Sequence, residues 1–167
     1  IDMATHLYDL RAYFAGPIKR IVAFTGHLVQ RYPSEDASTT LIEFQSGAHA
    51  TVDCFFCIPD AASRTRLEIY GSQGALLSEG TIGQGQGGAL EGIFGLGDAG
   101  YDAVQNKNVA RQFKPLKFPA INPYTAECAY FADCILRNQA PALNDAANAL
   151  RILKLTEQAY ASNRRCR

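Results

Sequence analysis

Asp2 and His6 are the residues of this sequence whose types and spacing best fit a chemical task. They stand four positions apart in a segment with helical periodicity, and residues at i and i+4 share one face of a helix. A carboxylate beside an imidazole is a plausible proton-transfer pair, because histidine titrates near neutrality. Asp9, three residues after His6, can orient the histidine or contact a ligand. From the residues alone, a plain helix cap at Asp2 and a polar surface histidine remain the alternative.

The element that must position these residues is a helix over residues 3–14. Met3, Leu7, Leu10 and Phe14 recur at helical spacing, and Asp2 is a suitable N-cap. Gly16 and Pro17 then end the helix, since this is a usual pair of stop residues.

Strands follow the helix, and short loops join them. The apolar patterns predict strands at residues 18–29, 37–44, 48–58, 64–70 and 75–77. Gln45, Ser46 and Gly47 form a three-residue hairpin loop. Short loops between consecutive strands imply antiparallel pairing. With two helices at the end, we predict an α+β fold: one open, predominantly antiparallel sheet with helices packed on one face.

The two closing helices are predicted over residues 123–136 and up to residue 162. Asn122 and Pro123 start the first, and Asn144 or Asp145 caps the second. We expect Cys128, Phe131 and Ile135 to form the buried stripe of the first helix. In the second, the expected stripe is Ala146, Leu150, Leu153 and Tyr160, widened by Ala149, Ile152 and Ala159. Residues 80–100 hold nine glycines and are predicted to be a long loop.

Composition excludes several classes of function. The 167 residues suit one domain, and 16 basic residues balance 16 acidic ones. A net charge of zero argues against a nucleic-acid partner or a polybasic membrane anchor. No apolar run approaches the roughly 20 residues of a membrane span. Five cysteines, an odd number, favour a reducing compartment, so we expect a cytoplasmic protein.

Three further patterns carry little functional weight. Residues 95–100 spell G-x-G-x-x-G, but a glycine-rich stretch precedes them and no acid follows at the required distance. Cys54 and Cys57 spell C-x-x-C, yet on a strand they would face opposite sides and could not share a metal. His27 and His49 fall within predicted strands and are interpreted as structural or surface histidines. We therefore expect no metal site and no cofactor site on this chain.

Several motifs together resemble a known family. Asp2-x-x-x-His6-x-x-Asp9 followed by Gly16-Pro17 is similar to the opening of the C-terminal domain of the Gfo/Idh/MocA oxidoreductases, which include glucose-fructose oxidoreductase and inositol 2-dehydrogenase. The similarity continues in order through Glu35-Asp36-Ala37, Phe44-Gln45-Ser46-Gly47-Ala48, residues 67–74, residues 124–135 and Tyr160-x-Ser162. One departure is Ala4, where the family usually has glycine.

The resemblance implies a function and a division of labour. Family members carry an N-terminal Rossmann domain that binds NAD or NADP and supplies a catalytic lysine, and a C-terminal α+β domain. This sequence would be the C-terminal substrate-binding and oligomerisation domain, over residues 1–167, without the Rossmann domain. By position, His6 would be the catalytic acid/base, Asp2 would tune it or bind the substrate, and Asp9 would bind the substrate or support the helix.

The expected parent is an NAD(P)-dependent dehydrogenase acting on the CH–OH group of a sugar, polyol or related substrate. We expect a homo-oligomer formed through the open sheet face and no turnover by this chain alone. The substrate and the choice of NAD or NADP stay open. Two other readings also stay open: a non-catalytic dimerisation or scaffold domain of the same fold, and a stand-alone small-molecule binding protein.

Overall fold

The computed structural model describes residues 2–95 and 112–165. Its helices are α1 (Asp2–Ala15), α2 (Pro123–Leu136) and α3 (Ala146–Arg165), and a short 3-10 helix spans Asp60–Ala62. The strands are β1 (Ile18–Gly26), β2 (Ala37–Phe44), β3 (His49–Phe55), β4 (Arg66–Gly71), β5 (Gly74–Glu79), β6 (Ala89–Phe94) and β7 (Lys114–Pro115). All pairings between these strands are antiparallel, which confirms the predicted α+β class.

The strands form two sheets, and the chain divides into two compact units. One unit contains residues 1–62 and 140–167, and the other contains residues 63–139. The sheet β1-β2-β3 belongs to the first unit, and the sheet β4-β5-β6-β7 belongs to the second. The expectation of one continuous sheet therefore differs from the structure, in which β3 and β4 are not paired among the described strands.

The first unit buries one face of its sheet beneath α1 and α3. Side chains alternate along a strand, so every second residue of β1 to β3 points into the same core. The core contains Ile21, Ala23, Ile42, Phe44 and Val52 from the strands, Ala4 and Tyr8 from α1, and Ile152, Leu155 and Ala159 from α3. This confirms the predicted packing of helices on one sheet face.

Local turn chemistry sets the ends of α1 and the β2–β3 hairpin. Gly16 has φ 84° and its N–H donates to the Ala12 carbonyl at 3.0 Å, so glycine ends α1 as predicted. Gly47 has φ 86° in the loop between β2 and β3. Glu43 pairs with His49 next to that loop, which confirms the predicted hairpin. His27 was expected in a strand, but β1 ends at Gly26, where the chain turns into a loop.

The outward face of the first sheet stays partly apolar. Phe24, Leu41 and Phe55 are 57%, 51% and 46% exposed on β1, β2 and β3. The three residues lie in different rows of the sheet: Leu41 is opposite Val22 and Thr51, Phe24 is opposite Thr39, and Phe55 is opposite Ala37. Single exposed apolar residues are common on protein surfaces, and this face carries one on each of its three strands.

The second unit corrects the prediction of a long loop at residues 80–100. Ala89–Phe94 forms β6, which pairs with β5 along its whole length from Ala89 opposite Glu79 to Phe94 opposite Gly74. Glycine weakens a strand, but pairing with an existing neighbour outweighs that preference. Residues 96–100, where most of the G-x-G-x-x-G pattern falls, lie outside the described residues.

Both closing helices form as predicted, but their buried sides differ from the prediction. The Asn122 side chain accepts from the Thr125 N–H at 3.1 Å and Pro123 opens α2, which confirms that start. On α2, however, Cys128, Phe131 and Ile135 are exposed and Cys134 is buried. On α3, Asp145 provides the cap for the Asn148 N–H at 2.7 Å. The buried residues of α3 are Ile152, Leu155 and Ala159, whereas Leu150 and Leu153 are exposed.

Candidate functional site

The candidate catalytic residues lie on the exposed side of α1. Asp2 and His6 are both exposed, and Asp9 is half-buried. Their spacing of four and three residues places all three along one side of the helix, and Tyr13, 68% exposed, continues that line. No hydrogen bond joins the side chains of Asp2 and His6 among the described residues. The structure therefore places the pair on one accessible surface without joining them directly.

The opposite side of α1 is anchored to the sheet. Ala4 and Tyr8 are fully buried, and the Tyr8 hydroxyl is 2.8 Å from the Thr40 hydroxyl of β2 inside the core. Burial raises the pKa of Tyr8, with the nearby charges of Cys54 and Glu35 adding to the rise, although the hydrogen bond to Thr40 opposes it. Tyr8 therefore stays neutral and holds the helix by packing and by one hydrogen bond.

Asp9 connects α1 to α3 instead of pointing freely outward. Its Oδ1 accepts a hydrogen bond from the Asn148 Nδ2 at 2.7 Å. Asn148 is the third residue of α3, so the bond joins the second turn of one helix to the first turn of the other. The sequence reasoning named Asp9 but missed Asn148, because 139 residues separate the two positions.

A second polar pair lies near the beginning of α1. The Tyr160 hydroxyl of α3 donates to the Glu35 Oε1 at 2.7 Å. The pKa of Tyr160 is raised, first by burial of its hydroxyl, then by its bond to the Glu35 carboxylate, with the charges of Glu35, Tyr8 and Asp2 adding to the rise. Asp2 is thus within electrostatic range of this pair, so α1 begins beside two further polar side chains that sequence reasoning did not single out as functional.

An open groove of about 890 Å³ runs beside this pair within the first unit. Its walls are the loop after β1 and the second half of α3, and the charged residues among its lining are Glu35, Lys154, Glu157 and Arg164. His27 also lines it, and its ring is stacked on Tyr32 with 6.2 Å between ring centroids. Asp2 and His6 do not line this groove.

Asp36 organises the loop that forms one wall of the groove. Its carboxylate is 1% exposed and accepts the backbone N–H groups of Leu28, Val29 and Gln30 at 2.7–2.8 Å. Burial by itself would raise the pKa of Asp36, but the three N–H donors and the nearby His27 lower it to about 2. The resemblance included Asp36, but three donors from one loop were not visible in the sequence.

This low pKa predicts a specific pH dependence of stability. The pKa of an aspartate in an unfolded chain is about 3.9. The charged form of Asp36 therefore stabilises the fold fully above about pH 4. That stability is lost as the pH falls toward 2, the folded pKa. We expect the urea midpoint of the wild type to fall over this range more steeply than that of Asp36→Asn, which should be less stable at pH 7.

The matched control for this measurement is Asp53→Asn. Asp53 is exposed on β3 and accepts none of the loop N–H groups. Its replacement should leave the urea midpoint at pH 7 close to that of the wild type. Equal pH profiles for the wild type and Asp36→Asn would contradict the assignment of Asp36 as the source of this dependence.

The other patterns in the sequence contribute no site. Cys54 and Cys57 are free and half-buried, and burial raises the pKa of the Cys54 thiol, which disfavours the reactive thiolate. Cys57 lies beyond the end of β3, so the argument from strand faces applies to Cys54 alone. In the described ranges, no three His, Cys, Asp or Glu side chains stand together as a metal ion would require. None of the described helices has the length and apolarity needed to cross a membrane.

Comparison with known proteins places this arrangement in context. Residues 1–77 match the family model described as the GFO/IDH/MocA C-terminal domain. D-apiose dehydrogenase of Paraburkholderia graminis is 28% identical over 78 residues, which cover 45% of this chain and 21% of that protein. The residues matched by the family model include α1, the helix that carries Asp2 and His6.

Two solved structures share the fold. Aldose-aldose oxidoreductase from Caulobacter crescentus, solved in complex with glycerol, has a TM-score of 0.74 at 19% identity over 98% of this chain and 44% of that one. An oxidoreductase from Agrobacterium radiobacter, solved with NAD+, L-tartaric acid and magnesium, has a TM-score of 0.73 at 20% identity over 99% and 47%. The chain spans less than half the length of these relatives. Residues 1–77 are thus similar to the C-terminal domain of the GFO/IDH/MocA oxidoreductases, and the whole chain shares the fold of these solved structures.

Proposed function

We propose that this chain is the substrate-binding and oligomerisation part of an NAD(P)-dependent oxidoreductase that acts on the CH–OH group of a sugar, polyol or related substrate. The observation that carries the proposal is the exposed Asp2 and His6 pair on a helix whose other side is fixed in the core. The similarity to a D-apiose dehydrogenase and to oxidoreductases solved with NAD+ or glycerol supports the class of substrate.

The proposed chemistry assigns the proton to this chain. NAD or NADP, bound by the parent protein, would supply the hydride acceptor for the carbinol carbon. His6 takes the proton of the substrate hydroxyl as the carbonyl forms and returns it in the reverse direction. Asp2, one helical turn away on the same side of α1, assists His6 at the substrate. The exposed side of α1 thus supplies general acid–base catalysis and orientation.

The described residues do not provide a nucleotide site of the usual kind. A dinucleotide cradle lies at the carboxyl ends of parallel strands, where a glycine-rich turn leads into a helix. Both sheets here are antiparallel in their described strands, and β6, which precedes Gly95, pairs in that way with β5. We therefore propose that NAD or NADP binds to a separate nucleotide-binding domain of the parent protein. The lengths of the relatives support this proposal, since this chain spans less than half of each.

The test compares the full-length parent with the isolated chain. Both are assayed with NAD+ and NADP+ against D-apiose, D-glucose, myo-inositol and glycerol, following nicotinamide absorbance. We expect turnover of at least one of these compounds by the parent and none by the isolated chain. Turnover by the isolated chain would refute the division of labour, and a parent inactive with all four would refute this substrate class.

The outward face of the first sheet supports the proposed self-association. Phe24, Leu41 and Phe55 present apolar side chains from three adjacent strands. Leu41→Lys is expected to dissociate the oligomer in light scattering after size exclusion, because a buried lysine without a partner is unfavourable at an interface. Leu150→Lys is the matched control, since Leu41 and Leu150 are both 51% exposed and Leu150 lies on α3. An unchanged mass for Leu41→Lys would argue against this face.

A scaffold role remains the second candidate, and the same apolar face favours it. In that case Asp2 and His6 would be structural. Association that depends on Leu41, together with turnover that is indifferent to His6, would support the scaffold role.

A further inference from the structure

We infer that Asn148 is a positioning residue for His6, and that Asp9 acts through its bond to Asn148 instead of by contact with the substrate. The inference rests on the proposed function of His6 as the acid/base. It departs from the sequence-based expectation that Asp9 binds the substrate.

The first step is the orientation of the Asn148 amide. Its oxygen accepts a hydrogen bond from the Arg151 Nη2, so the NH₂ group is the end that faces Asp9. The Asn148 backbone N–H donates to the Asp145 Oδ1 at 2.7 Å, which fixes the start of α3 under the same side chain. The Asn148 side-chain NH₂ group is therefore preorganised to donate to the Asp9 carboxylate. Hydrogen bonds to a carboxylate are stronger than hydrogen bonds between neutral groups.

The second step concerns the rotation of α1. Tyr8 and Asp9 are adjacent, and they bond to different elements: Tyr8 to Thr40 of β2 and Asp9 to Asn148 of α3. Adjacent helical residues point about 100° apart, so the two bonds hold α1 from two directions. His6 lies within one turn of both, and its direction is therefore set by these attachments. A displacement of about 1 Å at a reacting group can reduce the rate about 10²-fold.

The third step concerns what Asp9 can do. The Oδ1 of Asp9 is occupied by Asn148, and the Asp9 side chain is only half-exposed. An isosteric exchange separates the two roles. Asp9→Asn places two amides together, and Asn148→Asp places two carboxylates together. The double variant Asp9→Asn/Asn148→Asp restores one carboxylate and one amide in the reverse order.

The experiment measures kcat and KM of the full-length parent for D-apiose with NAD+, or for whichever of the four panel compounds it turns over. We expect Asn148→Asp, which sets two carboxylates against each other, to lower kcat about 10-fold or more with little change in KM, because orientation and not ground-state binding is lost. Asp9→Asn should lower kcat less, because its amide oxygen still accepts from the Asn148 Nδ2, although without the charge of the carboxylate. The double variant should recover kcat to within about threefold of the wild type. Gln158→Glu, which makes the same amide-to-carboxylate change at an exposed position of α3, is the control and should leave kcat unchanged.

Two kinetic results would overturn the inference. A raised KM that persists in the double variant would mean that the Asp9 carboxylate itself binds the substrate. Single variants with wild-type kcat would mean that the bond does not position His6.

A second measurement needs no substrate. The melting temperature of the double variant should exceed the value expected from adding the losses of the two single variants. Strict additivity would show that the bond is absent in solution and would overturn the inference, even if His6 proves to be catalytic. The parent could instead show coupled melting temperatures but turn over none of the four compounds. That result would confirm the bond, but it would refute the proposed function and with it the role of Asn148 in positioning a catalytic His6.

Discussion

Replacing His6 with alanine in the full-length parent is expected to lower kcat by about 10²–10⁴-fold, the usual contribution of a positioned acid/base. His6 is exposed on α1, so the substitution removes the imidazole without opening the core. Binding of NAD(P) should persist, because the proposed function places the nucleotide on a separate domain of the parent. The measurement is steady-state turnover together with nucleotide binding by fluorescence.

His49→Ala is the matched control for His6. His49 is also exposed, and it lies at the beginning of β3 beside the hairpin loop. Its loss should leave kcat within about twofold of the wild type, since surface substitutions away from special features change little. Unchanged turnover in His6→Ala would contradict the acid/base role and favour the scaffold role. Lost turnover in both variants would point to a general loss of folding.

Tyr8→Ala should produce the largest loss of stability, about 3–5 kcal/mol of unfolding free energy, as is typical for removal of a buried aromatic side chain. Tyr8 is fully buried between α1 and the first sheet, and its removal leaves a cavity under the helix that carries Asp2 and His6. The measurement is the urea midpoint of the chain. A loss below about 1 kcal/mol would contradict the position of Tyr8 in the core.

A cycle with Thr40 separates packing from hydrogen bonding. Tyr8→Phe keeps the ring but leaves the buried Thr40 hydroxyl without its partner, which should reduce the unfolding free energy by about 1–3 kcal/mol. Thr40→Val removes that hydroxyl. The double variant Tyr8→Phe/Thr40→Val should therefore be more stable than Tyr8→Phe, because no unsatisfied group remains. Additive losses would argue that the two hydroxyls are not bonded.

Local patterns in the sequence were sufficient for most of the elements. α1 was predicted from apolar spacing and its Gly16 stop, and the hairpin from Gly47. The start of α2 was predicted from Asn122 and Pro123. These signals depend on residues within a few positions of each other, so they can be recognised in the sequence without knowledge of the tertiary contacts.

Elements that depend on a distant partner were predicted less well. β6 lies in a glycine-rich stretch that indicates a loop, and it becomes a strand because β5 offers an unpaired edge. The buried side of α3 was predicted only in part: Ile152 and Ala159 are buried as expected, but Leu150 and Leu153 are exposed. Apolar residues surround much of that helix, so its periodicity is compatible with more than one buried stripe. Which stripe is buried depends on the sheet against which the helix packs.

The candidate site shows the same division. The nature and spacing of Asp2 and His6, and the family that their motif resembles, could be read from the sequence, because helical periodicity alone puts the two residues on one side of α1. Which side faces solvent, and which groups hold it there, depended on the tertiary structure. Asn148 reaches Asp9 across 139 positions of sequence, and Tyr160 reaches Glu35 across 125. No local pattern encodes such contacts, since they arise only when packing brings the two helices and the sheet together.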